Sequence, residues 1–153
     1  MRKRRRKKLL AVASGGGHWV QLLRLRPAFS GSEVAFIGVH HACREDVQGY
    51  RFYCVCDATR WTRLRLILSA LQVFCIICLE HPHVVISTGA APGYFAVRIG
   101  KLLGARTIWL DSIANIEQLS MSGSLAGPYA DLWLTQWPHL ETDDGPLFKG
   151  AVL

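Results

Sequence analysis

Apolar positions along the chain fall into two periods. Leu9–Ala13 is a short apolar run that stops at glycines and reads as a buried strand. Glu33–Val39, His83–Ser87, Ala105–Leu110 and Ala130–Thr135 read the same way, and Arg51–Cys56 alternates Phe52, Cys54 and Cys56. Between them lie helical stretches: one from Trp19 through Leu22, Leu23 and Phe29 to about Pro27–Gly31, a long one over Trp61–Leu79, and one after Gly93 through Leu103. Strands alternating with helices predict an α/β domain, a Rossmann-like parallel sheet with helices on both faces and right-handed crossovers. Ligands in such sheets bind beyond the carboxyl ends of the strands. That rule selects three loops, Ser14–His18, Ser87–Gly93 and Asp111–Ser124.

The Trp61–Leu79 helix is unusual. From Leu66 to Leu79 it carries no charge, only Ser69 and Gln72 among apolar groups. Such a helix is buried or faces lipid. It falls short of the roughly 20 apolar residues that a span requires. Arg60, Arg63 and Arg65 crowd its start, where long cationic side chains reach lipid phosphates while their stems stay in apolar surroundings. One reading is a core helix under the sheet. The reading adopted is a helix dipping into one leaflet, with Arg60, Arg63, Arg65, Leu66, Leu68 and Phe74 meeting the membrane.

Composition sharpens this. The 153 residues suit one domain, and half of them are hydrophobic against 19% charged, which excludes a disordered chain. The net charge of +7 resides in one arm, Arg2–Lys8, without which the remainder is formally neutral. A basic arm of residues 1–8 attracts anionic lipid at about 1 kcal/mol per cation, or is simply a solvated tail. Nucleic acid is not expected, since no aromatic interleaving or binding module follows it. The apolar stretch after the arm is too short for a signal peptide, which predicts a cytoplasmic location. Cys43, Cys54, Cys56, Cys75 and Cys78 lie mostly in apolar runs. The Cys75–Cys78 pair reads as buried thiols, with no second Cys/His pair to complete a metal site.

The first loop, Ser14-Gly15-Gly16-Gly17-His18, joins a strand to a helix. Glycines permit close backbone approach, and helix-start amides favour anions such as phosphate. The pattern is neither G-x-G-x-x-G nor a Walker loop. His18 is either a general base for a hydroxyl nucleophile or a capping and packing residue. Thr88, Gly89, Ala90 and Gly93 repeat the small-residue helix start, serving a bulky ligand or close strand-to-helix packing. Asp111 and Asn115 follow a buried strand, where Asp111 orients a sugar hydroxyl or caps the next turn.

In order, Ser14–His18 before a Leu-rich helix, Val85-Ile86-Ser87-Thr88-Gly89-Ala90, Gly104-Ala105-Arg106-Thr107-Ile108, Ala130-Asp131 and Gln136-Trp137-Pro138 resemble the Alg14 family, including its bacterial relatives in capsule and exopolysaccharide synthesis. The resemblance runs from Lys8 to Leu153. It implies a single domain like the N-terminal half of a GT-B, MurG-type glycosyltransferase, at the cytoplasmic face of the inner membrane as a peripheral or monotopic subunit. It further implies a separate Alg13-like partner that holds most of the UDP-sugar site, and transfer to a polyprenyl-diphosphate-linked acceptor without cofactor or metal. The family's functional histidine matches His18, and the apolar segment Gly145–Leu153 matches a region that helps hold the partner. Two departures stand out. Asp111 occupies a position that is commonly Glu, and a basic arm stands where many relatives carry a transmembrane helix. The length fits one Rossmann-like unit, so the cleft is expected to be closed by another protein. The rival readings are a membrane scaffold that recruits a catalytic partner, and a stand-alone Rossmann-type nucleotide-binding enzyme.

Overall fold

A computed structural model describes residues 6–152. Residues 1–5, most of the basic arm, lie outside the described residues. Lys8 belongs not to the arm but to the first strand. Seven parallel strands form one sheet in the order β3-β2-β1-β4-β5-β6-β7. They are β1 (Lys8–Val12), β2 (Glu33–Gly38), β3 (Arg51–Cys54), β4 (Val84–Ser87), β5 (Arg106–Leu110), β6 (Leu132–Thr135) and β7 (Leu147–Phe148). The helices are α1 (Gly16–Arg24), α2 (Cys43–Asp46), α3 (Arg63–Glu80), α4 (Ala90–Leu102) and α5 (Met121–Ala126).

The apolar runs become strands because both faces are covered. Leu10 and Val12 pack with Val73, Ile76 and Ile77 of α3 and Ala96 of α4. Ala11 and Ala13 point the other way, to Trp19 and Leu22 of α1 and to Phe36 and Phe52. A third cluster joins Val97, Trp109 and Ala126. Gly100 and Gly93 let α4 lie on the sheet. A Cβ at Gly100 would fall 2.8 Å from Val85 Cγ2, and one at Gly93 1.9 Å from Ser87 Oγ.

Charged pairs lock the sheet at its edges. Arg51 bridges Glu33 at 2.7 Å and the buried Glu80 at 3.0 Å. Burial, then the hydrogen bond to Glu80, pushes the Tyr53 phenol above its ordinary value. Lys101 of α4 pairs with Asp131 before β6, and that contact, with the Thr107 amide, holds the Asp131 carboxyl below its ordinary range.

β7 was not expected as a strand. Two residues after an Asp-rich turn carry no periodicity, yet Leu147 and Phe148 pair in register with Leu134 and Thr135. The segment read as an apolar tail is thus a docked edge of the sheet.

The long helix has one face against the sheet and leaves an apolar stripe exposed on the other. Ser69, Val73, Ile76 and Ile77 are buried against the sheet, while Leu64, Ile67, Leu68, Leu71, Phe74 and Leu79 are exposed. Arg60, Arg63 and Arg65 are exposed at its start, but Leu66 is only half-exposed and lies off this stripe. Among the described residues no helix is long and apolar enough to cross a membrane.

Candidate active site

Chain order reverses direction in the sheet between β1 and β4, which are direct neighbours from Leu9↔Val84 to Val12↔Ser87. The loops that leave these two strands therefore stand side by side at their carboxyl ends, where sheets of this kind place their ligand crevice. One loop is Ser14–Gly17 and the other Thr88–Gly89, so the structure brings the first two sequence-selected loops together.

His18 is the joint between them. Its Nδ1 lies 2.9 Å from the Thr88 carbonyl oxygen, and the Thr88 hydroxyl donates back to the His18 carbonyl at 2.6 Å. A carbonyl oxygen only accepts, so Nδ1 carries the proton and Nε2 of the neutral ring keeps its lone pair. Among the described residues Nε2 has no hydrogen-bond partner, and the ring is half-exposed.

Backbone conformation makes room for this ring. Gly89 has φ of +143°, and a Cβ there would sit 2.3 Å from His18 Nδ1. Ala90 follows with φ of +66°, a left-handed conformation that costs a non-glycine residue about 1–2 kcal/mol. Gly15 is open for a similar reason, since a Cβ there would meet the His40 imidazole at 2.5 Å. Gly15 and Gly89 are the N-cap residues of α1 and α4, so neither helix has a side-chain cap, and neither first turn holds an acidic residue. Both helix starts at the crevice thus offer backbone donors and positive dipole ends to an anion.

The remaining expected site residues divide. Ser14, Gly16 and Gly17 line the open loop. Thr88 is fully buried, with its hydroxyl committed to His18, so it positions the histidine rather than facing a ligand. Gly93 is buried against Ser87 and serves helix packing. Asp111 is 1% exposed, and both its oxygens are occupied. They accept from Trp109 Nε1, the Asn115 amide, and the amide and hydroxyl of Ser120. Asp111 is spent on tying its loop to the start of α5, whereas Asn115, which donates its side-chain amide to Asp111, stays half-exposed beside it. Asp is long enough for this, because the loop folds back onto it. Sequence reasoning missed His40 at the first loop and the buried Gln21 of α1, and it gave no role to the buried Ser112 and Gln136 that Gln21 meets. One signal for Gln21 was available: a polar residue on the Leu-rich helix one turn after His18.

The order of strands, the switch-point crevice and the uncapped glycine loops define a Rossmann-like domain of the GT-B type. The crystal structure of MurG from Acinetobacter baumannii shares this fold with a TM-score of 0.76 at 11% identity, over 93% of this chain and 45% of that one. A crystal structure of UDP-N-acetylglucosamine 2-epimerase matches with a TM-score of 0.68 at 9% identity, over 86% of this chain and 42% of that one. The family model for "Oligosaccharide biosynthesis protein Alg14 like" matches residues 50–149, and the chain belongs to that family. The UDP-N-acetylglucosamine transferase subunit ALG14 of Yarrowia lipolytica is 26% identical over 162 residues, covering 87% of this chain and 74% of the relative. The subunit of the same name from Cryptococcus neoformans is 33% identical over 101 residues, 58% of this chain and 43% of the relative. The chain thus spans less than half of the solved chains and of the Cryptococcus relative.

Proposed function

We propose that this chain is the acceptor-binding, membrane-associated subunit of a two-component glycosyltransferase that moves a sugar from a UDP-sugar to a polyprenyl-diphosphate-linked acceptor in polysaccharide biosynthesis. The carrying observation is His18, fixed at the switch point with Nδ1–H committed to Thr88 and Nε2 free as a base. In the reaction, Nε2 takes the proton of the acceptor hydroxyl as its oxygen attacks C1 of the sugar. The C1–O bond to UDP breaks and UDP departs with the electron pair, inverting the anomeric centre. The starts of α1 and α4 neutralise the acceptor's diphosphate. The UDP-sugar is held by an Alg13-like partner across the crevice, which fits relatives named as transferase subunits.

Attachment to a membrane, on this reading at its cytoplasmic face, draws its support from the exposed surface of α3. Its exposed apolar stripe lies beside Arg60, Arg63 and Arg65, with Trp61 79% exposed and the Arg60 guanidinium 4.6 Å from the centre of its ring. Cations at a helix start oppose the helix dipole. Their clustering there fits a helix whose first turn meets anionic lipid.

Replacing His18 by Ala tests the chemistry. Turnover in the assembled enzyme should fall by about 10²–10⁴-fold with partner binding intact. Unchanged turnover would leave the scaffold reading in its place.

A further inference from the structure

We infer that Gln21 and Gln136 are positioning residues for His18, fixing the rotation of α1 so that Nε2 is held toward the acceptor; this rests on the reading of His18 as the base. Both glutamines are buried, at 5% and 3% exposure, and each nitrogen and oxygen of both amide groups makes at least one hydrogen bond. Gln136 Nε2 donates to Gln21 Oε1 at 2.6 Å and to the Asp111 carbonyl at 2.9 Å. Gln136 Oε1 accepts from the Val152 amide at 2.8 Å. Gln21 Nε2 donates to Ser112 Oγ at 3.1 Å, and Gln21 Oε1 also accepts from the Ile113 amide at 3.3 Å. Burying two amides is costly unless they are paired this completely, so the pair is a built feature rather than a packing accident.

Its location gives it a task. Gln21 lies three residues after His18, on the same side of α1. α1 is therefore pinned twice, to the loop after β4 through the reciprocal His18–Thr88 bonds and to the loops after β5 and β6 through Gln21. Two pins one turn apart stop the helix from rolling. The second pin extends to the chain at Val152, whose carbonyl also accepts from Arg24 Nη1 of α1 at 3.4 Å. The post-β5 loop is braced from the β6 side as well, by Trp137 Nε1 donating to the Ile113 carbonyl at 2.8 Å. Helix, loop and terminal segment form one rigid block around the glutamine pair.

The hydrogen bonds predict an asymmetry. Gln136 spends both of its protons, so a carboxylate there would confront two acceptors. At position 21 the oxygen takes two of the three bonds, and the Ser112 hydroxyl can turn to donate to a carboxylate.

The test is side-chain ¹⁵N NMR of the full chain labelled at histidine, with the His18 signals assigned by H18A. In the wild type the two ring nitrogens should show the wide separation of a neutral ring protonated at Nδ1. In Gln136→Leu and Gln136→Glu that separation should shrink toward the average of two tautomers, and Gln21→Glu should retain it. Ser112→Ala removes the bonds from Gln21 and from the Ala114 amide but leaves the Gln136–Gln21 bond, so it remains informative if the Gln136 variants do not fold, and it should shift His18 in the same direction. Unmoved His18 signals in folded Gln136→Leu, or in Ser112→Ala, would overturn the positioning role and leave the base assignment standing. A wild-type ring protonated at Nε2 instead would overturn the base geometry itself, and the positioning role with it.

Discussion

At Gly89 the missing side chain lets the His18 imidazole sit against the backbone of the second loop. Gly89→Ala combines a Cβ 2.3 Å from His18 Nδ1 with a backbone φ of +143° that alanine rarely adopts. The ring must move, and a displacement of about 1 Å at a reacting group costs about 10²-fold in rate. Steady-state kinetics of the assembled transferase should show kcat reduced by that order in Gly89→Ala, with the folded state retained by circular dichroism. A normal kcat would mean that the ring position does not matter. At this scale the sequence was partly legible. Ser14–His18 announced a helix start that carries a histidine. The Thr88 carbonyl that sets its tautomer lies 70 positions away, and nothing in the local pattern names it. Asp111 shows the opposite case. A carboxylate after a buried strand resembles a ligand group, and only the folded loop reveals that Trp109, Asn115 and Ser120 consume its oxygens.

Among the elements, α3 carries the most consequence. Its inner face supplies Val73, Ile76 and Ile77 to the core, and its outer face leaves a row of leucines and Phe74 in the open. The uncharged run of Leu66–Leu79 was visible in the sequence, but which face meets the sheet was not. Two apolar faces erase the periodicity that would separate them. Leu64→Glu with Leu71→Glu changes positions 84% and 57% exposed, so the fold should persist. Cosedimentation with vesicles containing anionic lipid should be lost in this variant. Removing Arg60, Arg63 and Arg65 one at a time should weaken wild-type binding by about 1 kcal/mol each, about fivefold, and less at high salt. Binding that survives both sets of changes would remove α3 from the membrane account. The apolar runs of β1, β2, β4 and β5 were legible because parallel strands are covered on both faces. The short helices α2 and α5 and the two-residue β7 were not, since each is held by tertiary pairing rather than by a pattern of its own.

For the whole molecule, the sheet presents one wall of a crevice. The fold shared with MurG covers 93% of this chain but 45% of that one, and in the first glycine loop a Cβ at Gly16 or Gly17 would meet nothing within 4 Å. The alternation of strands and helices predicted this architecture. The second wall belongs to the proposed function, and it is supported by the switch-point location of His18 together with relatives named as transferase subunits. The most direct measurement isolates this chain from membranes of its native host and assays transfer of labelled N-acetylglucosamine from UDP-N-acetylglucosamine to a polyprenyl-diphosphate-linked acceptor, before and after removal of whatever co-purifies. The account predicts a second Rossmann-like subunit in near-equal amount, activity in the pair, and none in either component alone. Transfer by this chain with no second protein present would contradict it.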